Sequence, residues 1–488
     1  MSFTYQNPVL TGFYPDPSVC RVGEWFYLVT STFEYLPGIP IFRSKDLVHW
    51  QQIGHVLTRD DQAKLMGIRS SLGTHAATIR HHNGRFYVMT TNYPNGGNYY
   101  VYADDPAGEW SDPIYIDQGG IDPDMLFEDG KVYYTTNADG IVTSEIDIET
   151  GKILSPAKKV WQGTGGLHPE GSHMYKIDGK YYVVLAEGGT HYGHMVTIGR
   201  SDHPYGPYEA CPHNPILTQR DNGFSKIQGT GHADLVSDAD GNWYMVFLGF
   251  RISQKYFHHL GRETFLAPIE WKDGWPVIKG CKPGENKCPE SAEININKYL
   301  FTNKEKTDRF EKRELNWTNL RRRHDERYLF GDGLTIMGTK EDMSALEPSA
   351  LLTRQLDFSC TVKTEISMLA ENTEAGISVY SNPSAHYDFF LKKEKDRLHA
   401  VLRKTVGDMC FIAGEAFFDH LPKLKITADK LQYRFFADDI ELSSAETRFL
   451  STEAGISAFT GVMFALYAVS ETGDKAKFAY FCYEKNPD

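Results

Sequence analysis

The chain has 488 residues, 41% of them hydrophobic and 24% charged, which is the composition of folded domains and not of a disordered chain. Lys+Arg 51 against Asp+Glu 64 gives a net charge of −13, which disfavours a phosphate-binding surface, so nucleic acid is not an expected partner. No apolar run approaches the ~18 residues of a membrane span, and no membrane partner is expected either.

The opening MSFTYQNPVL lacks a basic n-region and an apolar h-region. The seven cysteines, at 20, 211, 281, 288, 360, 410 and 482, contain no Cys-x-x-Cys pair. Reduced thiols in a cytoplasmic protein are the expected setting. Aromatics reach 13%, which favours strands and supplies flat faces for sugar rings.

Residues 1–290 read as all-β. One phrase recurs there: a turn glycine, one or two residues, an aromatic or Val, then Tyr and an apolar strand. It gives GEWFYLVT, GRFYVMTT, GKVYYTTN, GKYYVVLA and GNWYMVFL, with Tyr27, Tyr87, Tyr133, Tyr182 and Tyr244 spaced by 46 to 62 residues. Five antiparallel units of this length predict a five-bladed β-propeller. Eleven or twelve residues before each tyrosine stands an ionisable residue: Asp16, His75, Asp122, Glu170 and His232. In a propeller the first strand of each blade lines the axis, so these five are expected to converge at one end of one pocket. Three carboxyls gathered there are costly without a chemical reason.

Hydrolysis of a glycosidic bond needs one protonated carboxyl to supply the leaving oxygen with a proton and one ionised carboxylate on the other face of the sugar. A third can raise the acid's pKa and orient it. Asp16 lies in FYPDPSV, Asp122 in GGIDPDML and Glu170 in LHPEGSHMY, each just ahead of an apolar strand.

Around GCKPGENKCPESAEININ the hairpin phrase stops, which marks a domain boundary. From 300 to 488 short strands alternate with turns. Leu356, Phe358, Cys360, Val362 and Thr364 follow period two, and further strands read AGISVYSN, HYDFFLKK, LHAVLRKT, LKITADK, YRFFADD, FTGVMFALYA and KFAYFCYE. This predicts a two-sheet β-sandwich of jelly-roll, concanavalin-like type. EAGISVY at 374 and EAGISAF at 453 suggest equivalent inner strands. The basic run Arg321-Arg322-Arg323-His324 reads as a solvated face.

The segments NPVLTGFYPDPSV, STFEYLPGIPIFRSKDLVHW, IDPDMLFEDGKVYY, HPEGSHMYKIDGKYYVVLAEGGT, GHADLV and GRETFLAPIEW resemble glycoside hydrolase family 43, in the branch of β-xylosidases and α-L-arabinofuranosidases with a C-terminal β-sandwich. The resemblance covers essentially the whole chain. It implies an inverting, exo-acting hydrolase with Asp16 as general base, Glu170 as general acid and Asp122 tuning and orienting Glu170. It also implies that Arg262 reaches the sugar hydroxyls and that Phe33 stacks on the sugar. His232 resembles an axial histidine that supports the base and in some members ligates calcium or another cation; no cofactor is otherwise required.

One departure is visible. Where many relatives have Gly-x-Trp-Ala-Pro, this chain has Gly73-Thr74-His75-Ala76-Ala77, so His75 replaces a tryptophan wall of the sugar pocket. The sandwich is expected to pack on the propeller, with a loop near FTGVMF reaching the mouth. The expected partner is an arabinoxylan, arabinan or xylan oligosaccharide; arabinoside against xyloside preference and a homo-oligomeric state stay open. Two alternatives remain at this point: a retaining fructosidase-like propeller hydrolase and a catalytically silent sugar-binding protein.

Overall fold

The computed structural model describes residues 2–301, 307–394, 397–455 and 459–487. Five antiparallel sheets follow one another along the first part of the chain. Blade I holds Ser18–Val22, Trp25–Val29, Gly38–Ser44 and Gln51–Leu57; blade II, Thr78–His82, Arg85–Tyr93, Gly97–Ala103 and Ile114–Tyr115. Blade III holds Ile121–Glu128, Lys131–Asn137, Ile141–Ile146 and Lys158–Trp161; blade IV, Glu170–Ile177, Lys180–Glu187, Met195–Ser201 and Glu209–Ala210. Blade V holds Ile227–Ser237, Trp243–Arg251, Glu263–Lys272 and Trp275–Ile278. A clasp of Phe3–Gln6 on Ser291–Ile294 is fastened to blade V, where Tyr5 Oη and Asn7 Nδ2 both donate to the Leu266 carbonyl.

The register of the innermost hairpins refines the convergence expected from sequence. Ser18, Thr78, Asp124, His173 and Asp234 face Val29, Met89, Thr135, Val184 and Val246, and each partner lies two residues after its blade's tyrosine. Two residues earlier on each inner strand stand Asp16, Ala76, Asp122, Gly171 and His232. Asp16, Asp122 and His232 are therefore equivalent, whereas Glu170 and His75 stand one residue ahead of the equivalent place. The cause is hairpin length, since blade V spends one extra residue in its turn. Asp16, Asp122 and His232 share φ of 51°, 53° and 50°, and Gly171 has 61°. Four blades thus repeat a left-handed kink that aims the next side chain off the regular pleat. Bulges at Ile121/Asp124, Glu170/His173 and Gly231/Asp234 accompany it.

The sandwich pairs two antiparallel sheets. One runs in the order Tyr328–Leu329, Leu334–Met337, Lys475–Lys485, Cys360–Leu369, Leu424–Ala428, Gln432–Ala437 and Ile440–Glu446. The other runs Ala350–Arg354, Met463–Val469, Glu374–Asn382, Ala385–Glu394, Arg397–Val406 and Met409–Phe418. The two EAGIS segments are not equivalent. The first is the strand Glu374–Asn382, while the second begins with the 3-10 turn Thr452–Ala454, and 456–458 lie outside the described residues. Glu453 makes the difference: its carboxylate is held by the His258 backbone N–H and lies 2.6 Å from His258 Nδ1, so the segment is drawn onto the propeller.

The two domains share a core. Phe13, Phe33 and Tyr35 of the propeller pack with Leu320, Leu352, Tyr380, Met463 and Tyr467 of the sandwich. Asn319–Leu320 pairs with Tyr35–Leu36 across the boundary. Arg321, in the basic run read as a solvated face, is instead fully buried: its Nε donates to the Ile68 carbonyl at 2.6 Å and its backbone N–H to that of Glu34 at 2.7 Å. Among the described residues no helix is long and apolar enough to cross a membrane.

Candidate active site

The kinked ends of the inner strands bring Asp16, Asp122, Glu170 and His232 together at one end of the axis. Asp16 is 3% exposed. Its Oδ1 accepts from Arg262 Nη1 at 2.9 Å and lies 3.7 Å from His232 Nδ1, while Oδ2 accepts from Ser31 Oγ at 2.6 Å. Burial works to raise this carboxyl, but Arg262, His232, the Ser31 hydroxyl and His75 together outweigh it and hold it below the ordinary aspartate value. His232 is itself shifted down, by burial first, with the Asp16 and Asp122 charges opposing.

Glu170 is treated in the opposite way. Burial, then the charges of Asp122 and Asp16, push its carboxyl well above the ordinary glutamate value, with Arg262 the opposing influence. Asp122 is tied to the backbone beside the acid: its Oδ2 accepts from Gly171 N–H at 2.8 Å. Gly171 cannot carry a side chain here, because a Cβ would come within 2.9 Å of the His232 ring and φ is positive. One carboxyl stabilised as an anion and one favoured as an acid now face the same space.

The wall is built from both domains. Arg262 also donates to Thr190 Oγ1 at 2.9 Å, and its guanidinium lies 5.7 Å from the Phe33 ring and 5.3 Å from Phe459. His75 packs edge-on against Phe33 at 5.2 Å and against Phe459 at 6.4 Å, with its Nδ1 3.0 Å from the Gly73 carbonyl. Phe33 is only 2% exposed and backs the wall as part of the shared core, so most of its face is spent on packing. The half-buried Phe459, delivered by the sandwich loop ahead of GVMF, stands in front of it at 5.6 Å.

Two groups escaped the reading by motif. Glu187 accepts from Thr164 N–H, Gly166 N–H and Thr197 Oγ1, fixing the loop that delivers Glu170. Below the kinks lies a second polar layer. Arg80 Nε is 2.9 Å from Asp124 Oδ1, its Nη1 donates to Asp234 Oδ2 at 2.8 Å, and its Nη2 donates to His173 Nδ1 at 3.0 Å. Ser18 Oγ and Tyr175 Oη also donate to Asp234. Asp124 and Asp234 follow Asp122 and His232 by two residues, so the strand period carries the signal.

This layer bears on the axial cation that the resemblance implies. His232 offers one ring nitrogen, the deeper carboxylates are already matched by Arg80, and among the described residues no group of three or more His, Cys, Asp or Glu is arranged for a metal. A cation there would therefore have His232 as its one ligand from these groups and would draw the rest of its shell from water, as a hard, oxygen-preferring ion can. A groove of about 750 Å³ lies at the other end of the propeller, lined by Asn83–Arg85 and Glu128–Lys131 from the turns of blades II and III, and size alone does not locate the chemistry.

The glycosyl hydrolases family 43 profile matches residues 5–276, and the β-xylosidase C-terminal concanavalin A-like domain matches 307–484. A non-reducing end α-L-arabinofuranosidase of Bacteroides ovatus is 39% identical, over 95% of this chain and 91% of its own length. A xylosidase/arabinosidase of Butyrivibrio fibrisolvens is 38% identical, over 98% and 99%. The solved Bacteroides ovatus structure described as "Xyloglucan PUL GH43B" superposes with a TM-score of 0.94 at 38% identity, over 99% of this chain and 100% of that one. The chain therefore belongs to glycosyl hydrolase family 43, its propeller followed by the β-xylosidase C-terminal concanavalin A-like domain.

Proposed function

We propose that this chain is an exo-acting, inverting hydrolase that releases terminal α-L-arabinofuranosyl or β-D-xylosyl residues from arabinoxylan, arabinan or xylan fragments, working in the cytoplasm on short oligosaccharides. The relatives named above as arabinofuranosidase and xylosidase/arabinosidase support the substrate class. The observation that carries the reading is the unlike surroundings of two carboxyls: Asp16 accepts from Arg262 Nη1 at 2.9 Å and from Ser31 Oγ at 2.6 Å and is held low, whereas Glu170 is pushed up by burial and by the charges of Asp122 and Asp16. In the reaction Asp16 takes a proton from a water as that water's oxygen bonds to the anomeric carbon. The bond to the leaving oxygen breaks, and Glu170 gives that oxygen its proton. An inverting pair needs carboxyl groups about 6.5–9.5 Å apart to admit the water.

The remaining groups position these two. Asp122 holds the backbone after Glu170 and adds the negative charge that keeps the acid protonated. Arg262 and His232 keep Asp16 ionised, and Arg262 reaches the sugar hydroxyls. Phe459 and His75 close one side of the pocket, which suits a terminal sugar better than the middle of a polymer.

Proton NMR of the first-formed sugar tests the reaction. The anomer opposite to that of the substrate is expected. Retention would instead favour a double-displacement route, and no turnover on any aryl pentoside would favour a silent sugar-binding protein.

A further inference from the structure

His194, which ends the loop 188–194 between the second and third strands of blade IV, is fully buried beside Glu170 and has no part in the reaction described above. Its Nδ1 lies 3.1 Å from the Gly229 carbonyl oxygen. A carbonyl only accepts, so in the neutral ring Nδ1 carries the proton and Nε2 presents a lone pair. Among the described residues Nε2 has no hydrogen-bond partner, and it stands 3.9 Å from Oε1 of Glu170.

The ring is locked in this pose. A Cβ on Gly231 would fall 2.4 Å from it, so the neighbouring strand reserves the space with a glycine, and the His194 carbonyl accepts from Thr218 Oγ1 at 2.8 Å. Burial pushes the imidazole down to about 3, with the Gly229 hydrogen bond the first influence opposing it. The titratable and charged groups facing it are Glu170, His232, Arg262 and Asp16, and those facing Glu170 besides it are Asp122, Asp16 and Arg262.

We propose that His194 is a positioning residue for the acid: its Nε2 accepts a hydrogen bond from the protonated carboxyl of Glu170 and offers only a lone pair to the ionised one. The gap closes with a carboxyl movement on the order of 1 Å, and the Glu170 side chain, 23% exposed, has room to make it. Asp122 and Asp16 favour the protonated acid through charge. His194 does so without charge, by making the proton useful to a buried acceptor, and it orients the carboxyl between turnovers. The inference rests on Glu170 being the acid.

The test compares His194→Phe, which keeps a ring but no acceptor, with His194→Gln, whose amide oxygen reaches where Nε2 stands. The readout is the pH profile of kcat/KM on an activated aryl pentoside and on a disaccharide of the same sugar. In His194→Phe the upper limb is expected to fall by about half to one pH unit, with kcat reduced several-fold more on the disaccharide than on the aryl substrate. His194→Gln is expected to restore the limb.

An upper limb unmoved in His194→Phe, or moved equally in both variants, would overturn the proposal. If His194→Phe does not fold, His194→Asn replaces it, since its amide stops near Nδ1; a shifted limb in Asn and not in Gln supports the role, and equal profiles refute it. Glu170→Gln serves as control. Persistence of the upper limb there would remove the assignment of Glu170 itself, an outcome separate from any result at His194.

Discussion

Two polar layers sit two residues apart on the same inner strands, and they are organised in opposite ways. The deeper layer places Asp124 and Asp234 around one guanidinium, that of Arg80, and gives every oxygen of Asp234 a donor. The outer layer gathers Asp16, Asp122 and Glu170 with one guanidinium, that of Arg262, which among the three carboxyls hydrogen-bonds only Asp16. Two buried carboxylates can be held by a fork of five N–H donors and two tyrosine and serine hydroxyls. Three cannot be held by one arginine at their edge, so one of them keeps its proton. The same strand positions thus give a strut where charge is matched and an acid–base pair where it is left unequal.

Breaking the outer layer should have the largest effect on activity. Asp16→Asn keeps the shape of the base but cannot take a proton, so kcat is expected to fall about 10²–10⁴-fold with the melting temperature nearly unchanged. Retention of more than about a hundredth of the activity would count against its role.

The deeper layer should respond in the opposite sense. Arg80→Met leaves Asp124 and Asp234 buried without their counter-charge and is expected to cost about 3–5 kcal/mol of stability by chemical denaturation. Combining it with Asp124→Asn and Asp234→Asn should recover much of the loss. Recovery of nothing would mean that Arg80 acts through packing alone.

His75 sharpens the comparison at the pocket wall. Replacement by Trp should change the ratio of kcat/KM for aryl arabinofuranoside over aryl xyloside by about tenfold, since it alters contact with one face of a sugar and not the reacting groups. An unchanged ratio would place His75 outside substrate recognition.

The smallest effect is on stability at the acid. A carboxyl whose folded pKa is raised costs the native state nothing below its unfolded value of about 4.3 and an increasing amount as pH rises from there to the folded value. Glu170→Gln does not titrate. It should therefore match the wild type in acid and become progressively more stable than it toward neutral and alkaline pH. A constant difference across the range would show that Glu170 is not strained by its neighbours.

Much of this was legible in the sequence, because five tyrosines in phase with five turns mark blades whose inner strands must share an axis. Asp16, Asp122 and His232 were found at equivalent places by counting from those tyrosines. Glu170 and His75 were found by the same count but stand one residue off, because hairpin length varies between blades and counting cannot see a turn's extra residue. Asp124 and Asp234 lay two residues beyond chosen positions, on the same face, and needed only the strand period. Phe459 and Glu453 required the docking of the domains, as the unlike fates of Glu374-Ala375 and Glu453-Ala454 make plain: the same two letters open a strand in one place and lie in a 3-10 turn docked on the propeller in the other.

The central claim is that near neutral pH the outer layer holds one proton, on Glu170, while Asp16 is ionised. Infrared difference spectra between wild type and Glu170→Gln, and between wild type and Asp16→Asn, read this directly. The account predicts a protonated-carboxyl band near neutral pH that disappears in Glu170→Gln, and loss of an ionised-carboxylate band in Asp16→Asn. A protonated band that survives in Glu170→Gln and vanishes in Asp16→Asn would contradict it.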